Sequence, residues 1–347
     1  MHMADALLSP AVGGTMWAVT AGVTAYSAKK LKESGDDPKV PLMGVLGAFI
    51  FAAQMINISI PATGSSGHIG GGMILAILLG PYAAFIALAS VLSVQALFFA
   101  DGGLLALGCN VFNLAFFPCF LAYPLIYRPI AGRNPSNLKI LAGSVVSVVA
   151  ALQLGAFSVV LETLASGITD LPFKTFLLLM QPIHLAIGLV EGVITAAVVS
   201  YVWKARPEVI EAVQGDAPSG AVSLKKVIVF FVAAAVITGG ILSWFASSFP
   251  DGLEWAIEKT SGREELEAPE GGIHSALALL QERFSFLPDY GFREPEAADE
   301  GEAEGAAQEQ SVMDPGTSVS GLVGGAIVFL LSAGVGLILR KAAAGSR

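Results

Sequence analysis

Residues 70–99 read GGGMILAILLGPYAAFIALASVLSVQALFF, thirty residues without a charge. A helix needs about 20 apolar residues to cross a hydrocarbon layer about 30 Å thick. This run is therefore too long for one ordinary crossing and too short for two. Gly80–Pro81 divides it, because proline lacks the backbone donor and turns the residue before it away from helical geometry. The stretch predicts a short membrane-embedded piece over 66–79 and a span over 81–99. A piece that short needs protein packed around it at membrane depth.

Working outward, further apolar segments cover about 12–28, 40–60, 104–127, 138–165, 175–203, 227–249 and 319–339. The chain is 54% hydrophobic and 14% charged, against about 25% charged in soluble domains, and its mean hydropathy is +0.70. Only helices and closed barrels satisfy their backbone in lipid, and the long runs lack the ten-residue alternation of a barrel. The fold class is an all-α polytopic membrane protein. Basic connectors at 29–39, 128–139 and 204–226, with Arg340, Lys341 and Arg347, are expected in the cytoplasm. If the loop near 61–67 is outside and Arg128 inside, an odd number of crossings separates them. Their spacing calls for three. The count is about seven helices in residues 1–205 plus two C-terminal transmembrane helices, with the N-terminus extracytoplasmic and the C-terminus cytoplasmic. The expected domains are a transmembrane domain over 1–205, a cytoplasmic linker over 206–223, and a C-terminal region over 224–347 whose two spans flank an acidic outside loop.

Residues 251–314 hold 17 of the 28 acidic residues and 4 of the 19 basic ones. The net charge of −9 thus describes one loop, and nucleic acid is not an expected partner. The middle of that loop, 294–310, is rich in Glu, Ala and Gly and predicts disorder. Asp251 followed by Gly252 suits a helix cap. Cys109 and Cys119 share one apolar segment and read as buried thiols. No basic cluster precedes the first apolar run, so no cleaved signal peptide is expected.

The chain opens MHMADALLSP. A free Met1 amine and the His2 amide close a five-membered chelate ring. The His2 amide and its Nδ1 close a six-membered one. Three nitrogens in one plane suit square-planar Ni(II) or Cu(II), and His68, in the glycine-rich PATGSSGHIGGG (61–72), could supply a fourth. Gln95, Asn110 and Asn113 are polar groups in apolar helices; they read as helix-packing groups or as supports behind a site, rather than as ligands. Asp101 stands beside them. His184 and Glu191 lie two turns apart on one helix face, which fits a mutual hydrogen bond, a proton-coupled role or metal contact. Ala18, Ala21, Gly22 and Ala25 make a small-residue face, suited to packing within the chain or to docking another membrane subunit.

Four stretches (MHMADALLSP at 1–10, GSSGHIGGGMILAILLGPYAA at 64–84, the run 95–117, and HLAIGLVEG at 184–192) together resemble the nickel/cobalt substrate-specific component of energy-coupling-factor (ECF) transporters, the NikM/CbiM family. The resemblance covers roughly residues 1–205. The opening is more similar to the nickel branch than to the cobalt branch, and departs from it at Ala4 and Ala6, where that branch has Pro and Gly. From about Lys225 onward the chain resembles the auxiliary PDGLE/NikN-like partner, with PDGLE itself at 250–254. The resemblance implies an N-terminus folded back into the bundle, with Met1, His2 and His68 holding Ni2+ or Co2+ as transported cargo. It also implies a scaffold transmembrane subunit and two ATPase subunits as partners, because this chain carries no ATPase motif. Two other readings compete: an extracytoplasmic metal-collecting membrane module, and an intramembrane enzyme using His184 and Glu191.

Overall fold

The computed structural model describes residues 2–34, 39–132, 135–214, 224–263, 266–293 and 315–344. Helices α1 (Pro10–Ser34) and α2 (Lys39–Gln54) lead into an antiparallel hairpin, β1 (Ile58–Ile60) with β2 (Ser65–Gly67), in the register Ile58↔Gly67 and Ile60↔Ser65. The loop expected near 61–67 is therefore part of an ordered hairpin. Then come α3 (Gly72–Leu79) and α4 (Pro81–Phe98). Gly80 takes φ +81° between them, and Pro81 opens α4 where its missing donor costs nothing. α5 (Leu107–Val111), a π-helical stretch (Phe112–Tyr127) and α6 (Arg128–Ala131) run on as one rod. Pro118 and Pro124 lie inside the π-helical stretch, where neither can donate to the helix ladder.

α7 (Asn137–Ser166) and α8 (Phe173–Ala205) pack along each other. A methyl added to Gly192 would lie 2.7 Å from Val145 Cα, so that crossing needs a glycine. α9 (Pro207–Gln214) occupies the start of the expected 206–223 linker, so that part is helical; 215–223 lies outside the described residues. α10 (Lys225–Gly240) and α13 (Pro315–Ala344) pack on α2, and their backbones touch at Gly239 and Gly321. Between them, α11 (Gly252–Ser261), α12 (Gly272–Phe284) and a 3-10 turn (Pro288–Tyr290) fold back over the hairpin end of the bundle. The stretch 294–310, read as disordered from its composition, lies outside the described residues.

Among the described residues, five helices are long and apolar enough to cross a membrane: Pro81–Phe98, Leu107–Ala131, Asn137–Ser166, Phe173–Ala205 and Pro315–Ala342. The other four of the nine expected spans, one of them the expected short piece, fall on α1, α2, α3 and α10. α2 and α10 have 16 residues each, and α1 ends in a Lys- and Glu-bearing turn. α3 has only eight residues, about 12 Å of rise, and every one of them is buried. The protein around it is what lets so short a piece sit in the bundle. It ends beside α9, where Gly80 approaches Val213, and so reaches the end of the bundle away from the hairpin. The chain is a nearly all-helical, multi-pass membrane protein.

Candidate metal centre

Three segments converge at the hairpin end: residues 2–9, the strand and glycine run 65–72, and the turn 99–106 between α4 and α5. Apolar burial draws the first inward, since Met3, Leu7 and Leu8 are each at most 1% exposed. Polar contacts then fix its depth. Met3 N donates to Asn110 Oδ1 at 2.7 Å, and Asn110 Nδ2 donates back to Met3 O at 3.1 Å. Gly103 N donates to the same carbonyl at 2.9 Å. Asp5 accepts from Ala106 N at 2.9 Å. Gly102 (φ +82°) permits the close approach, because a methyl there would lie 2.8 Å from Asn110 Nδ2 and 3.3 Å from His2 Cβ.

These contacts hold the His2 ring against that of His68, with centroids 5.1 Å apart and planes 14° from parallel. The His2 side chain is 7% exposed. Its Nδ1 lies 2.9 Å from Asp101 Oδ1, and its Nε2 is buried without a hydrogen-bond partner among the described residues. His68 Nδ1 lies 3.0 Å from the Ile69 carbonyl. That bond requires the proton on Nδ1, which leaves Nε2 with the lone pair a metal needs. Burial pushes the His68 imidazole down to about 4, so the ring stays neutral at physiological pH. Burial opposes ionisation of Asp101, but His2 and the Tyr290 hydroxyl outweigh it and hold the carboxyl below the usual range. Burial, with the Asp101 charge beside it, pushes the Tyr290 hydroxyl well up, so it remains a donor.

The loop carrying His68 is gripped through its main chain. Glu191 accepts from Gly70 N at 2.8 Å and Gly71 N at 2.9 Å. Gln54 donates to Gly70 O at 2.9 Å, and Gln95 donates to Gln54 Oε1 at 2.9 Å. His184 and Glu191 do not bond each other, contrary to one option open from their spacing. His184 Nδ1 instead meets the Met180 carbonyl one turn back, at 2.8 Å. A carboxylate can take two glycine amides at once, and the tight glycine run brings both within reach. Asn113 donates to Glu162 at 2.7 Å. Met1 lies outside the described residues. Ala18, Ala21, Gly22 and Ala25 are exposed on α1, and among the described residues nothing beyond α1's own nearby backbone lies within 4 Å of a methyl built on Gly22.

The C-terminal region walls the same site. Asp251 caps α11 by accepting from Leu253 N and Glu254 N, while Glu254 accepts from Asp251 N, as the Asp-Gly pattern led one to expect. Ser66 N donates to Pro250 O at 2.8 Å, tying the PDGLE segment to β2. His274 Nε2 meets the Leu8 carbonyl at 2.8 Å. The cavity there measures about 520 Å³, and His2, His68, Asp5, Asp101, Asp251 and Glu254 are among its walls. Among the described residues no three His, Cys, Asp or Glu side chains cluster as metal ligands.

Reading the residues missed Glu162, Gln54, His274 and Tyr290. A lone carboxylate in a membrane helix whose one other charge is Lys139 at its start could have flagged Glu162. Tyr290 carries no such mark.

The model of the cobalt uptake substrate-specific transmembrane region, CbiM, matches residues 2–209, and that of the PDGLE domain matches 225–341. This chain belongs to the CbiM family. A protein of Archaeoglobus fulgidus, provisionally named fused nickel transport protein NikMN, is 34% identical over 95% of this chain and 96% of its own length. The fused nickel transport protein NikMN of Rhodobacter capsulatus is 28% identical over 84% of this chain and 88% of its own. A crystal structure of a truncated transition metal transporter, 33% identical, covers 59% of this CbiM-family chain and 99% of its own, with a TM-score of 0.52. The chain is a transport component of the NikMN/CbiM family and not an enzyme, so the intramembrane-enzyme reading of His184 and Glu191 falls.

Proposed function

We propose that this protein is the substrate-specific component of an ECF-type importer that takes up Ni2+ or Co2+ with high affinity. The Met1 amine, the His2 amide, His2 Nδ1 and His68 Nε2 form its planar four-nitrogen site. The observation that carries this reading is the stack of the His2 and His68 imidazoles on the wall of the cavity at the hairpin end. His68 presents Nε2 by virtue of its Ile69 bond. The His2 ring is turned with Nδ1 towards Asp101. Loading the chelate requires rotation about Cβ–Cγ, which frees Nδ1 and brings Nε2–H to the side of the carboxylate. Planar nitrogen donors favour Ni(II) and give alkaline-earth ions little. The relatives' names favour nickel or cobalt.

The site opens to the side on which the N-terminus and the 246–293 segment lie, taken as extracytoplasmic, with the C-terminus cytoplasmic. The chain has no ATPase motif, so energy comes from two ATPase subunits through a scaffold membrane subunit. The exposed Ala18, Ala21, Gly22 and Ala25 face of α1 suits that scaffold. Residues 1–205 form the metal-binding domain, 206–223 the linker and 224–347 the auxiliary region. Isothermal titration of the purified chain with Ni(II), Co(II) and Zn(II) tests the site. His2→Ala, His68→Ala, or one residue added before His2 should abolish tight Ni(II) binding. Unchanged affinity in the extended chain would refute the chelate.

A further inference from the structure

We propose that Tyr290, from the C-terminal region, is a positioning residue for the metal site: its hydroxyl donates to Asp101 and fixes the carboxylate that orients the His2 imidazole. This rests on the metal-site reading above and adds to it a role for the PDGLE-bearing half. The two oxygens of Asp101 have different partners. Oδ1 meets His2 Nδ1 at 2.9 Å, and Oδ2 accepts from the Tyr290 hydroxyl. A carboxylate held at one oxygen swings about its last torsion; one held at both presents a fixed acceptor. With the ring turned about Cβ–Cγ to load the chelate, the same carboxylate would accept from Nε2–H, and an acceptor there sets which nitrogen carries the proton and how the ring faces the metal.

The backbone around this contact is arranged at a cost. Among the described residues, four non-glycine residues have positive φ, and three of them flank it: Ala100 (+56°), Asp289 (+50°) and Tyr290 (+60°). L-residues avoid this region, and where they are held there the surroundings over-determine them. Here the surroundings can be named. Asp289 N donates to Phe99 O at 2.9 Å, Ser320 Oγ to Tyr290 O at 2.8 Å, and Gln281 Nε2 to Gly102 O at 2.8 Å. The Tyr290 ring stacks on Phe99 with centroids 5.1 Å apart. α4, α12 and α13 thus jointly aim one hydroxyl at one carboxylate oxygen. Ring packing alone would not require the hydroxyl to meet Asp101.

The test uses the full chain in detergent, with Ni(II) titration and the visible absorption band of the bound ion as readouts. Tyr290→Phe keeps the ring and removes the hydroxyl. It should lower Ni(II) affinity by up to about 10-fold, at or below the low end of the usual cost of losing a partner bonded to the metal ligand itself, and shift the band of the bound ion. On an Asp101→Ala background the same change should have no further effect, because Tyr290 acts through Asp101. Ser320→Ala loosens the turn without touching the cavity. It should give a smaller loss that also vanishes on that background, and it serves as the test if Tyr290→Phe does not fold. Wild-type affinity and spectrum in Tyr290→Phe overturn the proposal, as does a loss of equal size on the Asp101→Ala background. Both outcomes leave the metal site standing. A wild-type chain that binds no Ni(II) removes that site and this inference together.

Discussion

The two imidazoles of the site are supported differently. His68 rides on a glycine run whose main chain is held by Glu191 and Gln54, both from the first 205 residues. His2 rides on a segment held by Asn110 and Asp101 from that half, and by His274 and, through Asp101, Tyr290 from the other. The glycine run after His68 is held by side chains of the CbiM-like half, with the strand before it also tied to Pro250, whereas the segment carrying His2 is held by side chains of both halves. A damaged His68 support should therefore disturb the bundle itself, whereas a damaged His2 support should show first in metal binding.

The largest effect is expected from Glu191→Ala. It leaves two buried glycine amides without an acceptor, at about 1–3 kcal/mol each. Ni(II) affinity should fall about 100-fold, the upper end of the usual range, and the melting temperature of the metal-free protein should drop with it. A variant that melts like wild type would show that the loop has other anchors. Next comes Asn110→Ala, which removes both bonds to Met3. A loss of about 10- to 100-fold in affinity is expected, with faster hydrogen exchange at Met3 and little change at Gly70 and Gly71. Equal loosening of both loops would erase the contrast between the two supports.

Protonation sharpens it further. A free histidine titrates near 6.5, and burial takes His68 down to about 4. Its neutral form is thus kept as pH falls from 8 to 5 and is lost only near 4. NMR titration of the metal-free protein should find the His68 midpoint near 4. Weakening of Ni(II) binding between pH 8 and 6 should then come from protons on the other nitrogens; a His68 midpoint near 6.5 would contradict the buried setting. The smallest effect is expected from His274→Ala, which removes one bond to the Leu8 carbonyl, worth about 1 kcal/mol, or a loss of a few-fold in affinity by titration. A larger loss would mean that the C-terminal region carries more of the site than the His2 support alone.

Much of the fold was legible because bilayer physics is one-dimensional: uncharged runs and the Gly80–Pro81 break read directly as helices α3 and α4. The Asp251 cap was legible because its chemistry is local. The hairpin was not, since Ser65–Gly67 has no β-branched residue and its pairing with Ile58–Ile60 is a tertiary fact. At the centre, His2 and His68 stood out as candidate donors and Gln95, Asn110, Asn113 and Glu191 as candidate supports, while what each support grips was hidden. Glu191 binds backbone amides, and any sequence offers those. Tyr290 reaches Asp101 across 189 residues of chain.

α1 has a different neighbour on each side. Outward, Ala18, Ala21, Gly22 and Ala25 are bare. Inward, Trp17 Nε1 is bonded to Leu104 O at 3.0 Å and Thr20 Oγ1 to Gly108 O at 2.7 Å, two residues from the Asn110 that clasps Met3. Any torque applied to this helix from outside is delivered, through two short struts, to the clasp on the chain's first residues.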